Sequence, residues 1–180
     1  MLSFCRSPED AINVMTATFD IDPLTLDETP VVRHLAASLR RWFSPTDLRA
    51  IDALLRENPS GWVAHDRAGN AGIVGFLLTA PTPDPCVREV AWMGVDEAWQ
   101  GRGVGTALLD RATAAAASDG MRELEVSTVA ASAGYAPYEA TRAFYYARGF
   151  VDRRVDRDYY WPGGDRLVLR RPIGGQPSPP

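Results

Sequence analysis

Between Gln100 and Thr106 the chain reads Gln-Gly-Arg-Gly-Val-Gly-Thr, with glycine at positions 101, 103 and 105. A strand-like apolar run, Val87 to Val95, precedes this segment, and Thr106-Ala107-Leu108-Leu109 continues it as an apolar helix start. Alternate glycines leave the backbone bare as it enters the helix. The first N–H groups of a helix have no intrahelical acceptor, and the macrodipole puts partial positive charge on them. Such an end grips phosphate oxygens, and Arg102 adds a forked donor for the same anion. The chemistry implied is the binding of a pyrophosphate.

Spacing separates the phosphate cradles that could be built this way. A P-loop needs a lysine ahead of Ser or Thr, and all 19 basic residues of this chain are arginine. A dinucleotide fingerprint counted from Gly101 needs glycine at position 106, which is Thr106, although Glu123 and Glu125 lie near the distance of the ribose-binding acid. A turn that only caps the helix is the plainest alternative. The pattern that remains, Gln-x-x-Gly-x-Gly at Gln100, Gly103 and Gly105, resembles the coenzyme A signature of the GNAT superfamily of N-acetyltransferases. Met93-Gly94-Val95 matches the apolar-x-Val pair that this family carries ahead of the loop. The resemblance is strong over residues 60–150, weaker over 151–173 and nearly absent over 1–60.

The resemblance implies a mixed α/β fold, with a mostly antiparallel central sheet, one splayed parallel strand pair and helices on both faces. It implies acetyl-CoA as acyl donor, no metal, and direct transfer to a primary amine in a ternary complex. The amine could belong to a small molecule or to a protein amino terminus or side chain. Coenzyme contacts would come from Met93, Gly94 and Val95, then from Gln100, Gly101, Arg102, Gly103, Val104, Gly105 and Thr106. The pantetheine arm would pair with the backbone of Met93 and Val95 as though it were a strand. Gly94 suits a bulge or a close backbone approach, and an N–H there could polarise the acetyl carbonyl. A non-catalytic acyl-CoA-binding module with the same fold is the competing reading.

Acetyl transfer also needs an acid for the departing thiolate. Ala143-Phe144-Tyr145-Tyr146-Ala147-Arg148-Gly149-Phe150 resembles the family's Phe-Tyr-x-x-x-Gly-Phe segment, whose tyrosine faces the sulfur, and that points to Tyr145. Tyr146 lies one helix step away and should face elsewhere. The plain alternative for Tyr145 is a core aromatic. Some relatives carry a glutamate at the position of Glu89, which makes Glu89 the candidate base. Period two puts Glu89, Ala91 and Met93 on one strand face, with Glu89 roughly 13 Å from Met93 at about 3.3 Å per residue. Contact with the amine would then need substrate reach or a water relay. A surface carboxylate paired to Arg88, or an amine arriving neutral without a base, are the alternatives.

The chain departs from the family where many relatives have Asn-x-x-Ala, reading Tyr138-Glu139-Ala140-Thr141 instead. Tyr138 or Thr141 could replace the asparagine contact. Arg142 could reach a phosphate or lie in solvent. Asp156, Asp158, Tyr159, Tyr160 and Trp161 could offer carboxylates and ring faces to an ammonium, or form an ordinary amphipathic hairpin. His34, His65 and Cys86 sit in no catalytic pattern.

These residues need elements to hold them. Leu2–Arg6 reads as a strand, Ser7–Phe19 as a helix opened by Ser7-Pro8, and 20–30 as a loop. Val31–Trp42 and Thr46–Glu57 show helical spacing, and Trp62–Asp66 and Ile73–Thr79 read as a hairpin about Arg67–Asn70. Pro81, Pro83 and Pro85 should keep the next stretch out of any ladder. Strand Val87–Val95, helix Gly103–Ser118, strand Glu123–Thr128 and helix Tyr138–Arg148 follow. Strands Phe150–Tyr160 and Arg166–Arg171 close the chain. This order predicts a parallel pair inside a mixed sheet.

At 180 residues the chain is sized for one domain, expected over 1–173, with a divergent helical part over 1–60, a coenzyme-binding part over 61–173 and a disordered tail over 174–180. A net charge of −4 argues against nucleic acid as a partner and leaves room for a homodimer. Two distant cysteines, Cys5 and Cys86, fit a reducing cytoplasm. Met1–Ser7 lacks a signal pattern, and the longest apolar run, Ile73–Ala80, is too short for a membrane span.

Overall fold

The computed structural model describes residues 18–57 and 59–174. The strand expected at 2–6, the helix expected from Ser7 and the tail beyond Gly174 lie outside them. The strands are β1 (Phe19–Pro23), β2 (Gly61–Asp66), β3 (Ile73–Pro81), β4 (Val87–Val95), β5 (Glu123–Val129), β6 (Val151–Trp161) and β7 (Gly164–Pro172). The helices are α1 (Thr29–Ser38), α2 (Pro45–Glu57), α3 (Val104–Ser118) and α4 (Pro137–Tyr146). The strands form one sheet in the order β1-β2-β3-β4-β5-β7-β6. Every neighbouring pair is antiparallel except β4 and β5, which run parallel.

One buried cluster joins α3 and α4 to the sheet through Leu77, Val90, Leu108, Leu109, Tyr145 and Leu167. A second joins α1 and α2 to the opposite face through Val32, Leu35, Ile51, Phe76 and Leu78. Helices therefore cover both faces. The central strand β3 is buried without interruption from Ile73 to Thr79, which is why its sequence is a continuous apolar run and not an alternating one. Its Gly75 lets α3 approach, since a Cβ there would lie 2.8 Å from Val104 Cγ1.

Four local expectations are corrected. The 20–30 loop holds most of β1, in which Phe19 is buried, Ile21 packs against the core and Asp20 and Asp22 alternate with them. Acids and Pro23 suit an edge strand, and they hid the alternation. Pro81 ends β3 opposite Arg88, at a strand end where the missing N–H matters least. The helix expected over Val31–Trp42 starts earlier, at Thr29, and stops at Ser38. The β-bulge of β4 falls at Ala91 and not Gly94, because Leu78 faces Trp92 while Thr79 faces Val90.

That bulge reverses the alternation it interrupts. Met93 pairs with Leu77 and packs in the α3/α4 cluster, whereas Glu89 pairs with Ala80 on the face of Leu78 and Trp92. Glu89 and Met93 therefore lie on opposite faces, contrary to the simple period-two expectation. Gly94 meets the second part of its expectation, close approach. A Cβ there would lie 2.7 Å from Phe76 Cε1 and 2.8 Å from Leu39 Cδ1. Gly94→Ala should destabilise the protein by about 1–3 kcal/mol through overpacking, measured as a lower urea midpoint at unchanged slope; an unaltered midpoint would contradict the contact.

Candidate functional site

Parallel pairing of β4 with β5 runs from Val87 opposite Glu123 to Val90 opposite Val126, and stops there. Beyond it Ala91–Val95 and Ser127–Val129 diverge, although both remain strands. Asp96 N–H donates to Val74 O of β3 at 2.9 Å. Alternation along an antiparallel ladder then turns Gly94 toward β3 and the N–H and C=O groups of Met93 and Val95 toward the gap. A carbonyl polariser on this strand would have to be one of those two amides; the Gly94 N–H belongs to the β3 ladder.

The glycine loop sits at the end of the same strand. Gly101 and Gly103 have φ of +74° and +87°, in the region that side-chain-bearing residues avoid. Gly103 caps α3, and its carbonyl accepts from Ala107 N–H at 3.0 Å. Among the described residues, none of the six amides from Gly101 to Thr106 makes a short, well-aligned hydrogen bond to a protein group, although Gln100–Gly103 form a turn. Gly101, Arg102 and Gly103 are exposed. Donors left open at one helix start fit a pyrophosphate. Gln100 is turned back, its Nε2 donating to Val95 O at 3.1 Å, so it braces the loop against the open edge of β4. Arg102 lies 5.1 Å from the centre of the Trp99 ring. Val104 is buried and anchors α3 in the core.

A cavity of about 750 Å³ opens between the diverging strands. Met93 and Tyr145 reach it from the α3/α4 face, and Glu89, Phe43 and Trp92 from the α1/α2 face. It therefore passes through the sheet. Tyr145 is 4% exposed and packs edge-on against Phe150 at 5.3 Å. Its hydroxyl has no hydrogen-bond partner among the described residues, and burial pushes its pKa well above that of a free phenol. Tyr146 faces away and donates to Asp152 Oδ1 at 2.8 Å. Glu89 makes no ion pair among the described residues, since Arg88 reaches Asp119 instead, at 3.4 Å. Burial raises the Glu89 pKa, the Glu125 carboxylate raises it further, and Arg166 partly opposes them.

Other polar groups are committed elsewhere. Arg142 is buried and donates to Val129 O at 2.9 Å, so it neither reaches a phosphate nor lies in solvent. Tyr138 donates to Trp42 O at 2.6 Å, which ties the start of α4 to the α1–α2 connection; Thr141 lines the cavity. Asp156 is neutralised by Arg166 at 2.5 Å and by Arg154, and Asp158 holds the β6–β7 turn through Gly163 N–H. One site residue escaped the sequence: Arg148 donates to the Thr106 hydroxyl and stacks 3.7 Å over Phe144. That sets a second cation beside the first turn of α3. Its only signal was a position shortly after the Phe-Tyr pair.

Residues 57–152 match the family model described as the acetyltransferase (GNAT) domain, and the unpaired helix start and strand gap lie inside that span. The chain belongs to the GNAT acetyltransferase family. It is 30% identical over 121 residues to the mycothiol acetyltransferase of Beutenbergia cavernae. That match takes in 67% of this chain and 34% of the relative, so it spans about a third of the relative's length. Its fold matches a solved GNAT-family structure from Desulfovibrio desulfuricans with a TM-score of 0.74 at 22% identity, covering 87% of this chain and 99% of that one. A GNAT-family acetyltransferase from Elizabethkingia anophelis, solved with acetyl-CoA bound, matches with a TM-score of 0.66 at 21% identity, over 87% of this chain and 99% of that one. Among the described residues no cluster of three His, Cys, Asp or Glu side chains could hold a metal, and no helix is long and apolar enough to cross a membrane.

Gly103→Asp should weaken acetyl-CoA binding by about tenfold or more, because a side chain at that φ is strained and its charge repels phosphate. Isothermal titration reads this directly, with Gly103→Ala separating the strain from the charge. Wild-type affinity in Gly103→Asp would remove the cradle.

Proposed function

We propose that this chain is an acetyl-CoA-dependent N-acetyltransferase that moves acetyl directly to a primary amine. One observation carries the reading: the amides from Gly101 to Thr106 make no well-aligned bond to protein at the start of α3, beside a strand edge where the Met93 N–H and C=O and the Val95 N–H face an open gap. The amides suit the coenzyme's diphosphate, with Arg102 and Arg148 as nearby cations. The strand edge suits its pantetheine amides, with the acyl end in the cavity.

In the proposed reaction the neutral amine nitrogen bonds to the acetyl carbonyl carbon, polarised by an edge N–H. The carbon–sulfur bond breaks with its electron pair on sulfur. Tyr145 gives its proton to the thiolate, and Glu89 takes one from the amine, directly or through water. A raised phenol pKa keeps Tyr145 protonated at neutral pH, and desolvation of the sulfur in the same buried gap raises the thiolate's proton affinity to meet it. A raised carboxyl pKa makes Glu89 a stronger base than a solvated glutamate.

Tyr145→Phe should lower kcat by about 10²–10⁴-fold with little change in acetyl-CoA affinity. Because that hydroxyl has no protein partner, thermal stability should hold. Near-normal turnover in single-turnover experiments would free Tyr145 of the role. Glu89 acts only when ionised, so the rate should fall as pH drops through a pKa above the ordinary 4.5. Glu89→Gln should depress the rate and flatten that acidic limb. An intact limb in the variant would reassign the base.

A further inference from the structure

Resting on the amine-transfer reading, we infer that the acceptor is a singly charged primary amine borne on an aromatic or bulky apolar body. The half of the cavity on the α1/α2 face is walled by rings: Phe43 and Trp92 meet edge to face at 5.9 Å, and Tyr138, Tyr135, Trp161 and Tyr160 form a continuous arc. Successive centroids along that arc are 5.8, 6.3 and 5.9 Å apart. Tyr160 and Trp161 are partly exposed, at 38% and 44%, so apolar surface remains for a ligand to cover.

Charge sets the second half of the specificity. Two carboxylates, Asp47 and Glu89, line the cavity. Asp47 is held at the start of α2 by a reciprocal cap, with Ser44 N–H donating to its Oδ2 at 2.7 Å and its own N–H donating to Ser44 Oγ at 3.2 Å. It shares that cavity with Tyr138 and Tyr160, the two ends of the aromatic arc. An ammonium therefore finds counter-charge and ring faces together. Arg40, Arg41 and Arg166 line the same space. Arg166 is matched by Asp156 and lies 3.7 Å over the Tyr159 ring, so that ring face already holds a cation. Arg40 and Arg41 are exposed, and they oppose a second or third positive charge at the rim. A polyamine or aminosugar polycation meets repulsion there, and a small hydrophilic amine leaves the rings wet.

Thiol release from acetyl-CoA should give a kcat/KM for 2-phenylethylamine or tryptamine at least about tenfold above those for spermidine and ethanolamine, the discrimination that one well-filled apolar subsite supplies. Tyr160→Ala should raise KM for 2-phenylethylamine while KM for acetyl-CoA holds. Arg40→Glu with Arg41→Glu should narrow the gap to spermidine. Preference for spermidine or ethanolamine, or indifference among the amines, overturns the inference. Titration of each amine into CoA-saturated protein separates the two readings. If no amine releases thiol yet 2-phenylethylamine binds in preference to spermidine, transfer fails and the acceptor class stands. If no such binding preference exists, the acceptor class falls whether or not transfer occurs.

Discussion

Everything at the site depends on where one parallel strand pair stops. β4 and β5 are joined by hydrogen bonds only as far as Val90 and Val126. Unpaired backbone is expensive when buried, so strands that diverge must offer their free groups to solvent or to a ligand. β4 is secured on its other side by the β3 ladder, which lets its second edge remain open without loosening the strand. The result is a rigid row of donors and acceptors inside a sheet, where an edge is normally found only at the margin.

The same divergence brings together side chains that the sheet would otherwise keep apart. Tyr145 belongs to the α3/α4 core and Glu89 to the opposite face, and only a passage through the sheet lets both line one cavity. The two groups are shifted by the same force. Burial disfavours the charged form of each, so the phenol keeps its proton and the carboxylate holds one more avidly. Their places in the fold differ, since one meets the gap beside Met93 and the other meets it beside the aromatic wall.

The wall in turn is held by hydrogen bonds between distant segments. Tyr138 and Tyr135 donate to the carbonyls of Trp42 and Arg41, at 2.6 and 3.2 Å. These bonds fasten the α1–α2 connection over the mouth of the gap. Arg142 fixes the end of β5 from below through Val129 O. The wall is thus assembled from segments nearly one hundred positions apart, its two tyrosines each presenting an apolar body with a polar tip satisfied by backbone.

The order of elements from β2 to β7, the parallel pair and the glycine loop were legible in the residues, because local chemistry governs them. Apolar periodicity reports which face is buried, and alternate glycines before an apolar helix leave few uses other than an exposed backbone. Tyr145 and Glu89 could be proposed only through the resemblance to the family's segments. What the chain could not disclose locally depends on partners far away in sequence. A single extra residue at Ala91, visible only against β3, moved Glu89 to the other face from Met93. β1 needed its partner β2 to be recognised as a strand. Arg142 is buried against Val129, and Arg148, to which the sequence assigned no role, meets Thr106, since both placements are set by helix packing. Sequence determined which groups were available and in what local conformation; the tertiary structure decided which of them met, because the meeting depends on the register and packing of strands and helices that share no local signal.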